Sequence, residues 1–141
     1  FNPICNVDGV RMARVSLTED NLTFRRQIKG LLSSRFPSME VMEAGHAGKA
    51  LEKIESSPPD LIFMDIKLPG ESGLELTKRI KKHYPEIFVI ILTSYDYPEY
   101  REAAYENGAD FFLVKGSTTL DEISSLVRSL LSREHTRRER N

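Results

Sequence analysis

Five short apolar runs alternate along this chain with five segments whose apolar residues repeat at helical spacing. The clearest runs are Leu61–Met64 and Phe88–Leu92, which contain no polar residue and are typical of strands covered on both faces. Between them, Leu76 and Ile80 indicate a helix from about Gly73 to His83. This alternation predicts an α/β fold with a parallel sheet, helices on both faces and right-handed crossovers.

Weaker signals complete the pattern. Three further strands are expected at Ala13–Leu17, Glu40–Met42 and Phe111–Val114. The first of these is polar for a central strand, because it contains Arg14 and Ser16. Four further helices are expected around Phe24–Leu32, Ala47–Ile54, Tyr100–Ala104 and Leu120–Leu131. Their predicted end signals are Asn21 or Asp20 before the first helix, Asn107-Gly108 after the fourth, and a Thr119–Glu122 capping box before the fifth.

The chain has 141 residues, enough for one domain with a short extension at each end. We expect the domain at residues 12–131 and an N-terminal extension or processed remnant at 1–11. Residues 132–141 would be a polar, arginine-rich tail, a frayed helix end or the start of a linker. The 20 basic and 21 acidic side chains nearly balance, which argues against direct nucleic-acid or membrane binding. No apolar run could span a bilayer, and the single cysteine, Cys5, fits a reducing compartment, so we expect a cytoplasmic protein.

Polar residues suited to phosphoryl chemistry follow four of the five predicted strands. Glu19 and Asp20 follow the first strand, Asp65 the third, Thr93 the fourth and Lys115 the fifth. If the sheet is doubly wound in the order 2-1-3-4-5, strands one and three are neighbours and the three carboxylates converge. Oxygen-only ligands of like charge suit Mg²⁺, while a lysine and a hydroxyl suit phosphoryl oxygens. We therefore predict a phosphoryl-transfer site with a carboxylate nucleophile.

At these residues the chain resembles the receiver domain of two-component response regulators. The matching segments, in chain order, are Thr18–Asn21, Met64–Gly70, Leu92–Ser94, Gly108–Asp110 and Val114–Lys115. The resemblance runs from about Met12 to Leu131 and implies the flavodoxin-like receiver fold, with strand order 2-1-3-4-5 and five helices. It also implies phosphorelay signalling, with a sensor histidine kinase or a phosphotransfer protein as the donor.

The resemblance implies an acceptor and a metal site. Asp65 would accept the phosphoryl group from a phosphohistidine. Asp20, Asp65 and the backbone carbonyl of Lys67 would bind Mg²⁺ directly, and Glu19 would act on the ion through water.

The resemblance also implies residues that contact the phosphoryl group and respond to it. Thr93 would donate a hydrogen bond to the phosphoryl oxygens, Lys115 would pair with them, and Phe112 would be the aromatic switch. The side chains of Lys67 and Tyr95 would limit the access of water, so we expect slow self-dephosphorylation.

The expected output lies outside these residues. The face formed by the fourth helix, fifth strand and fifth helix would switch on phosphorylation and control an output, expected to be transcription. Homodimerisation through that face and a C-terminal DNA-binding domain beyond this chain are both consistent with the resemblance. One residue departs from the family pattern: Gly116 stands where the family usually has proline, which predicts a looser loop.

A signalling receiver would not be a turnover enzyme. There are two alternatives to this function. One is a phosphatase-like enzyme that forms an aspartyl phosphate. Enzymes of the haloacid-dehalogenase family carry Asp-x-Asp after the first strand, whereas here the candidate nucleophile follows the third strand and Lys67 stands two residues later. The other is a degenerate interaction domain, which would lack an acidic or lysine position. A dinucleotide site is excluded because no Gly-x-Gly-x-x-Gly follows the first strand.

Overall fold

The predicted parallel sheet is present in the computed structural model of the chain, which describes the backbone of residues 6–7, 10–11 and 13–140 and the side chains of residues 13–132. Its strands are β1 (Arg14–Thr18), β2 (Glu40–Ala44), β3 (Leu61–Met64), β4 (Phe88–Thr93) and β5 (Phe111–Val114). They pair in parallel in the order β2-β1-β3-β4-β5. This order confirms the doubly wound sheet, with the switch point between β1 and β3.

Five helices connect and cover the strands. They are α1 (Leu22–Arg35), α2 (Ala47–Ser56), α3 (Gly73–His83), α4 (Pro98–Glu106) and α5 (Leu120–Arg140). Side chains of α1 and α5 pack with Leu61 and Phe63 on one face of β3, while those of α2, α3 and α4 pack with Ile62 and Met64 on the other. The apolar run of β3 is therefore explained by burial on both faces.

The predicted helix ends are also present. The Asn21 side chain accepts a hydrogen bond from the Phe24 backbone N–H at 2.9 Å, which caps α1. The Thr119 hydroxyl accepts from the Glu122 N–H at 3.1 Å, and the Glu122 carboxylate accepts from the Thr119 N–H at 2.8 Å, so the capping box forms in both directions. Gly108 ends α4 with a φ of 100°, a conformation that favours glycine.

The polar first strand packs in an asymmetric way. Val15 and Leu17 lie in the apolar cluster beneath α1 and α5, and strand alternation directs Ser16 and Thr18 to the opposite face. Both hydroxyl groups are buried, and neither has a hydrogen-bond partner within the part of the chain that the structure describes. Arg14 lies at the more exposed start of the strand, where its Nε contacts Glu40 at 2.9 Å. The central strand therefore carries two uncompensated hydroxyls.

Both ends of the chain carry regular structure where they are described. Asn6–Val7 and Val10–Arg11 pair as short antiparallel strands, and the second of these lies beside α5. Helix α5 continues to Arg140, so the backbone of residues 132–140 is helical, which agrees with the helix-end alternative for this segment. Residues 1–5, 8–9, 12 and 141, including Cys5, lie outside the described residues, and the domain boundaries remain a prediction. No helix in the described ranges is long and apolar enough to cross a bilayer.

Candidate metal and phosphoryl site

Three carboxylates meet where β1 and β3 end. The Asp65 N–H donates to the Thr18 carbonyl at 3.0 Å, and the Glu19 N–H donates to the Ala44 carbonyl at 2.9 Å. These bonds extend the pairing of the strands by one residue, so the side chains of Glu19 and Asp65 emerge at the same edge of the sheet. Glu19, Asp20 and Asp65 each offer an oxygen atom within 4.8 Å of the others; Glu19 and Asp65 are buried, and Asp20 is exposed. The sequence-predicted convergence of these three residues is present.

Lys115 reaches the same cluster from β5. Its Nζ lies 2.6 Å from Glu19 Oε1 and 3.1 Å from Asp65 Oδ2. Its backbone N–H donates to the Thr93 carbonyl at 2.8 Å, which aligns the ends of β4 and β5. One ammonium group faces three carboxylates, so two negative charges are left uncompensated. A hard divalent cation fits this charge and this all-oxygen donor set.

The electrostatics of the cluster are visible in two pKa values. Burial raises the pKa of Glu19 above its ordinary value, and the nearby charge of Asp65 acts in the same direction against the hydrogen bond from Lys115. Burial acts to lower the pKa of Lys115, but the hydrogen bond to Glu19 and the charge of Asp65 outweigh it, and the pKa is raised. Lys115 is therefore a cation at neutral pH, in a cluster that still favours additional positive charge.

The first turn of α1 holds the acidic pair. The Asn21 N–H donates to Glu19 Oε2 at 3.0 Å, and the Arg25 guanidinium donates to the Glu19 carbonyl at 2.7 Å. The ring centroid of Phe24 lies 4.4 Å from Lys115 Nζ. In the sequence Phe24 is one residue of an apolar helical stripe, and neither Phe24 nor Arg25 was predicted at the site. Their position just after Glu19-Asp20 is the one sequence signal that could have indicated a place at the site.

The loop between β3 and α3 holds Asp65 from the other side. Asp65 Oδ1 accepts a hydrogen bond from the Ile66 N–H at 2.7 Å, and the Gly73 N–H donates to the Ile66 carbonyl at 2.8 Å. A Cβ atom on Gly73 would lie 1.9 Å from the Asp65 carbonyl oxygen. Gly73 thus lets the start of α3 pack directly against the backbone of Asp65, a requirement that no local sequence pattern indicates.

Thr93 is the last residue of β4, and Lys67 and Tyr95 lie on the loops after β3 and β4. Thr93 is fully buried, and its hydroxyl oxygen accepts from the Tyr95 N–H at 3.3 Å. Lys67 Nζ lies 5.3 Å from the Tyr95 ring centroid and 5.7 Å from that of Tyr100. The two rings meet edge to face at 5.9 Å. Lys67, Tyr95 and Tyr100 therefore form one cluster, and the role of Lys67 and Tyr95 in limiting the access of water stays a prediction.

Phe112 and Gly116 lie on and just after β5. The Phe112 side chain is 4% exposed in the apolar cluster beneath α4, and the Arg101 guanidinium carbon lies 4.7 Å from its ring centroid. The ring is thus oriented inward, and its role as a switch stays a prediction. Gly116 has a φ of 87°, a value that proline cannot adopt because its ring fixes φ near about −65°. The loop after Lys115 therefore follows a path that the usual family residue could not take.

Comparison with known protein families identifies the family of this chain. The model of the response regulator receiver domain matches residues 15–128, from β1 into α5. The chain belongs to this family. This membership confirms the resemblance seen in the strand-end motifs, and the phosphatase-like alternative is not favoured for a receiver domain.

Sequence relatives of this receiver domain are longer response regulators. It is 34% identical over 124 residues to the response regulator protein VraR of Staphylococcus saprophyticus, covering 86% of this chain and 57% of that protein. It is 31% identical over 105 residues to the oxygen regulatory protein NreC of Staphylococcus haemolyticus, covering 74% and 48% respectively. The chain therefore spans about half the length of the curated relatives it matches.

Solved structures agree with this assignment. A CheY-like receiver domain protein from Methanospirillum hungatei superposes with a TM-score of 0.82 at 27% identity, covering 89% of this chain and 98% of that one. A LuxR-family DNA-binding response regulator from Staphylococcus aureus superposes with a TM-score of 0.78 at 26% identity, covering 84% and 98%. The receiver fold predicted from the sequence is thereby confirmed.

Proposed function

We propose that this receiver domain accepts a phosphoryl group on Asp65 from the phosphohistidine of a sensor histidine kinase or phosphotransfer protein. The observation that carries the proposal is the hydrogen bond from Lys115 Nζ to Asp65 Oδ2 at 3.1 Å, made beside two further carboxylates. An Asp65 oxygen attacks phosphorus, the P–N bond of the phosphohistidine breaks, and the imidazole nitrogen keeps the electron pair. Lys115 offsets the negative charge on the transferring oxygens, and the buried Thr93 hydroxyl is their hydrogen-bond donor.

Mg²⁺ fits the acidic cluster as the required cation. Asp20, Asp65 and the backbone carbonyl of Lys67 would hold it directly, and Glu19 through water. An indirect role for Glu19 agrees with its short contact to Lys115. When bound, the ion supplies positive charge to the phosphoryl oxygens. Lys115 and Thr93 would position the phosphoryl group beside the Asp65 carboxylate.

Titration of Mg²⁺ into alanine variants tests this ligand set. Asp20→Ala and Asp65→Ala should weaken binding by more than Glu19→Ala, because direct ligands contribute more than a residue acting through water. A larger loss from Glu19→Ala than from Asp20→Ala would mean that the roles of the two acids are reversed.

The acceptor residue is tested by intact-mass spectrometry. Incubation with acetyl phosphate and Mg²⁺ should add one phosphoryl group, about 80 Da, to the wild-type chain and none to Asp65→Asn. Asp60→Asn is a matched control, since Asp60 is also buried (7% exposed for each) but lies before the opposite end of β3. It should label like the wild type. Equal labelling of Asp65→Asn would refute the assignment.

We further propose that phosphorylation alters the face formed by α4, β5 and α5, and through it a transcriptional output. An apolar groove on this face is lined by Phe111, Leu113 and Leu126, with Asp121 and Glu122 beside it. Such a face suits homodimerisation or docking of a DNA-binding domain beyond this chain. The similar structure from Staphylococcus aureus is that of a DNA-binding response regulator, which supports such an output.

Hydrogen exchange with and without acetyl phosphate tests the output face. Protection should change most between Pro98 and Val114, since α4 buries only Ala104 fully and is thus held by few apolar contacts. Changes confined to Asn21–Arg35 would contradict the proposal and indicate α1 instead.

A further inference from the structure

The ammonium group of Lys115 has a third neighbour besides its two carboxylates. The Phe24 ring centroid lies 4.4 Å from Lys115 Nζ, well within the distance at which a cation is attracted to an aromatic face. The Lys115 side chain is only 15% exposed, so water competes weakly for this contact. The ring and the ammonium come from distant parts of the chain, the first turn of α1 and the residue after β5.

Phe24 is itself held in place. Its backbone N–H donates a hydrogen bond to the Asn21 side chain, the cap of α1, at 2.9 Å. Its side chain is partly buried and packs against the apolar cluster that contains Leu17, Ile28 and Phe63. A ring anchored by both a helix cap and core packing is a rigid wall beside a long, flexible lysine.

Lys115 needs such a wall because its two carboxylate contacts are unequal. The ammonium lies closer to Glu19 (2.6 Å) than to Asp65 (3.1 Å), and both acids also belong to the metal-binding set. An aromatic face attracts the ammonium without offering an oxygen that could enter a metal's coordination sphere. It can therefore keep Lys115 beside Asp65 when the carboxylates take other partners.

We propose that Phe24 is a positioning residue, which holds the Lys115 ammonium by a cation–π contact in the geometry required for phosphoryl transfer to Asp65. This inference rests on the proposed function, because the transfer to Asp65 is the reaction that it serves. Phe24 touches neither the phosphoryl group nor Asp65 in this role, and it acts only through Lys115.

Variants at position 24 separate the electrostatic contact from simple packing. Phe24→Leu should lower the phosphorylation rate at saturating acetyl phosphate by about fivefold to tenfold, the range expected for a partly desolvated cation–π contact. Phe24→Tyr should restore a rate close to that of the wild type. Phenylalanines with one, two and three ring fluorines keep the shape but weaken the negative face, so the rate should fall stepwise along the series. A purely structural role would give no such gradient.

A second phenylalanine provides the matched control. Phe36 ends α1, lies in the same apolar cluster, and has the Arg128 guanidinium carbon 5.1 Å from its ring centroid. Phe36→Leu should lower the unfolding free energy as Phe24→Leu does, yet leave the phosphorylation rate unchanged.

The outcomes are distinguishable. If the wild type is labelled at Asp65, any one of three results would overturn the positioning role alone. These are an unchanged phosphorylation rate in Phe24→Leu, a rate that does not change along the fluorine series, and an equal loss of rate in Phe36→Leu. Failure of the wild type to label, or equal labelling of Asp65→Asn, would overturn the proposed function and this inference with it. A graded loss confined to position 24 supports both.

Discussion

Substitution of Gly73 by alanine should test how closely α3 must approach the acceptor. The new Cβ would lie 1.9 Å from the Asp65 carbonyl oxygen, 2.8 Å from its carbonyl carbon and 3.1 Å from the Ile66 Cα. All three are backbone atoms, so no side chain can turn aside to relieve the overlap. Either α3 or the end of β3 must retreat by more than about 1 Å to restore ordinary van der Waals separation.

Two effects of opposite sign contribute to the expected magnitude. Alanine is favoured over glycine within a helix by about 1 kcal/mol, whereas forced overpacking costs about 1–3 kcal/mol and can cost more where only backbone can move. We therefore expect Gly73→Ala to lower the free energy of unfolding by about 1–2 kcal/mol. Because a displacement of about 1 Å in a reacting group can reduce a rate by roughly 100-fold, phosphorylation should slow by about 10- to 100-fold.

The assay pairs urea denaturation with the initial rate of labelling by acetyl phosphate. Gly30→Ala is the control, because Gly30 lies within α1 and an added Cβ there would meet no atom within 4 Å. It should gain about 1 kcal/mol of stability and keep the wild-type rate. If Gly73→Ala were instead as stable and as reactive as the wild type, the close contact between α3 and Asp65 would not constrain the site.

Three further predictions concern other parts of the molecule. Thr18→Val should raise the free energy of unfolding by about 1–2 kcal/mol, because it removes a buried hydroxyl that has no hydrogen-bond partner among the described residues; a loss of stability in denaturant titrations would contradict this. Lys67→Ala and Tyr95→Ala should each speed the loss of label from the phosphorylated protein by a few-fold, about 1 kcal/mol in the barrier, because the Lys67 ammonium lies over the Tyr95 ring. Decay after donor removal at fixed Mg²⁺ measures this, and unchanged or slower decay in both variants would exclude the covering role. The hydrogen bond from Lys29 lowers the pKa of Glu43, so this pair stabilises the fold above the ordinary glutamate pKa of 4.5 and the contribution is lost as the pH falls through the folded-state value. When the free energy of unfolding is measured at decreasing pH, Glu43→Gln should lose less stability in acid than the wild type does. Parallel curves of stability against pH for the variant and the wild type would exclude this contribution from Glu43.

Much of the site could be predicted because it depends on topology and local pattern. Unbroken apolar runs such as Leu61–Met64 identify strands buried on both faces, and the residue after each strand then lies at one edge of a parallel sheet. The convergence of Glu19, Asp20 and Asp65 follows from that rule once β1 and β3 are neighbours. The choice of Asp65 among the three carboxylates as the phosphoryl acceptor came from the resemblance to receiver domains.

The rest depends on tertiary contacts that leave no local signal. The ring of Phe24 meets Lys115 only because α1 and the end of β5 pack at the same edge, and in the sequence Phe24 is one more residue of a helical stripe. Gly73 reads as an ordinary helix start, although its missing Cβ is required by the backbone of Asp65. The length of α5 beyond Leu131 could not be predicted, because that segment has four arginines and no apolar residue.

The ion pair between Lys115 and Asp65 makes the carboxylate cluster depend on the edge strand β5, which lies next to β4 in the sheet. Local opening can detach an edge strand while the pairing of β1 with β3 is kept. A state with β5 detached would leave three carboxylates together without the Lys115 ammonium that offsets them. Docking of β5 relieves that repulsion. The signalling centre thus penalises the incomplete fold electrostatically, and competence to accept a phosphoryl group becomes a direct readout of whether the last strand has joined the sheet.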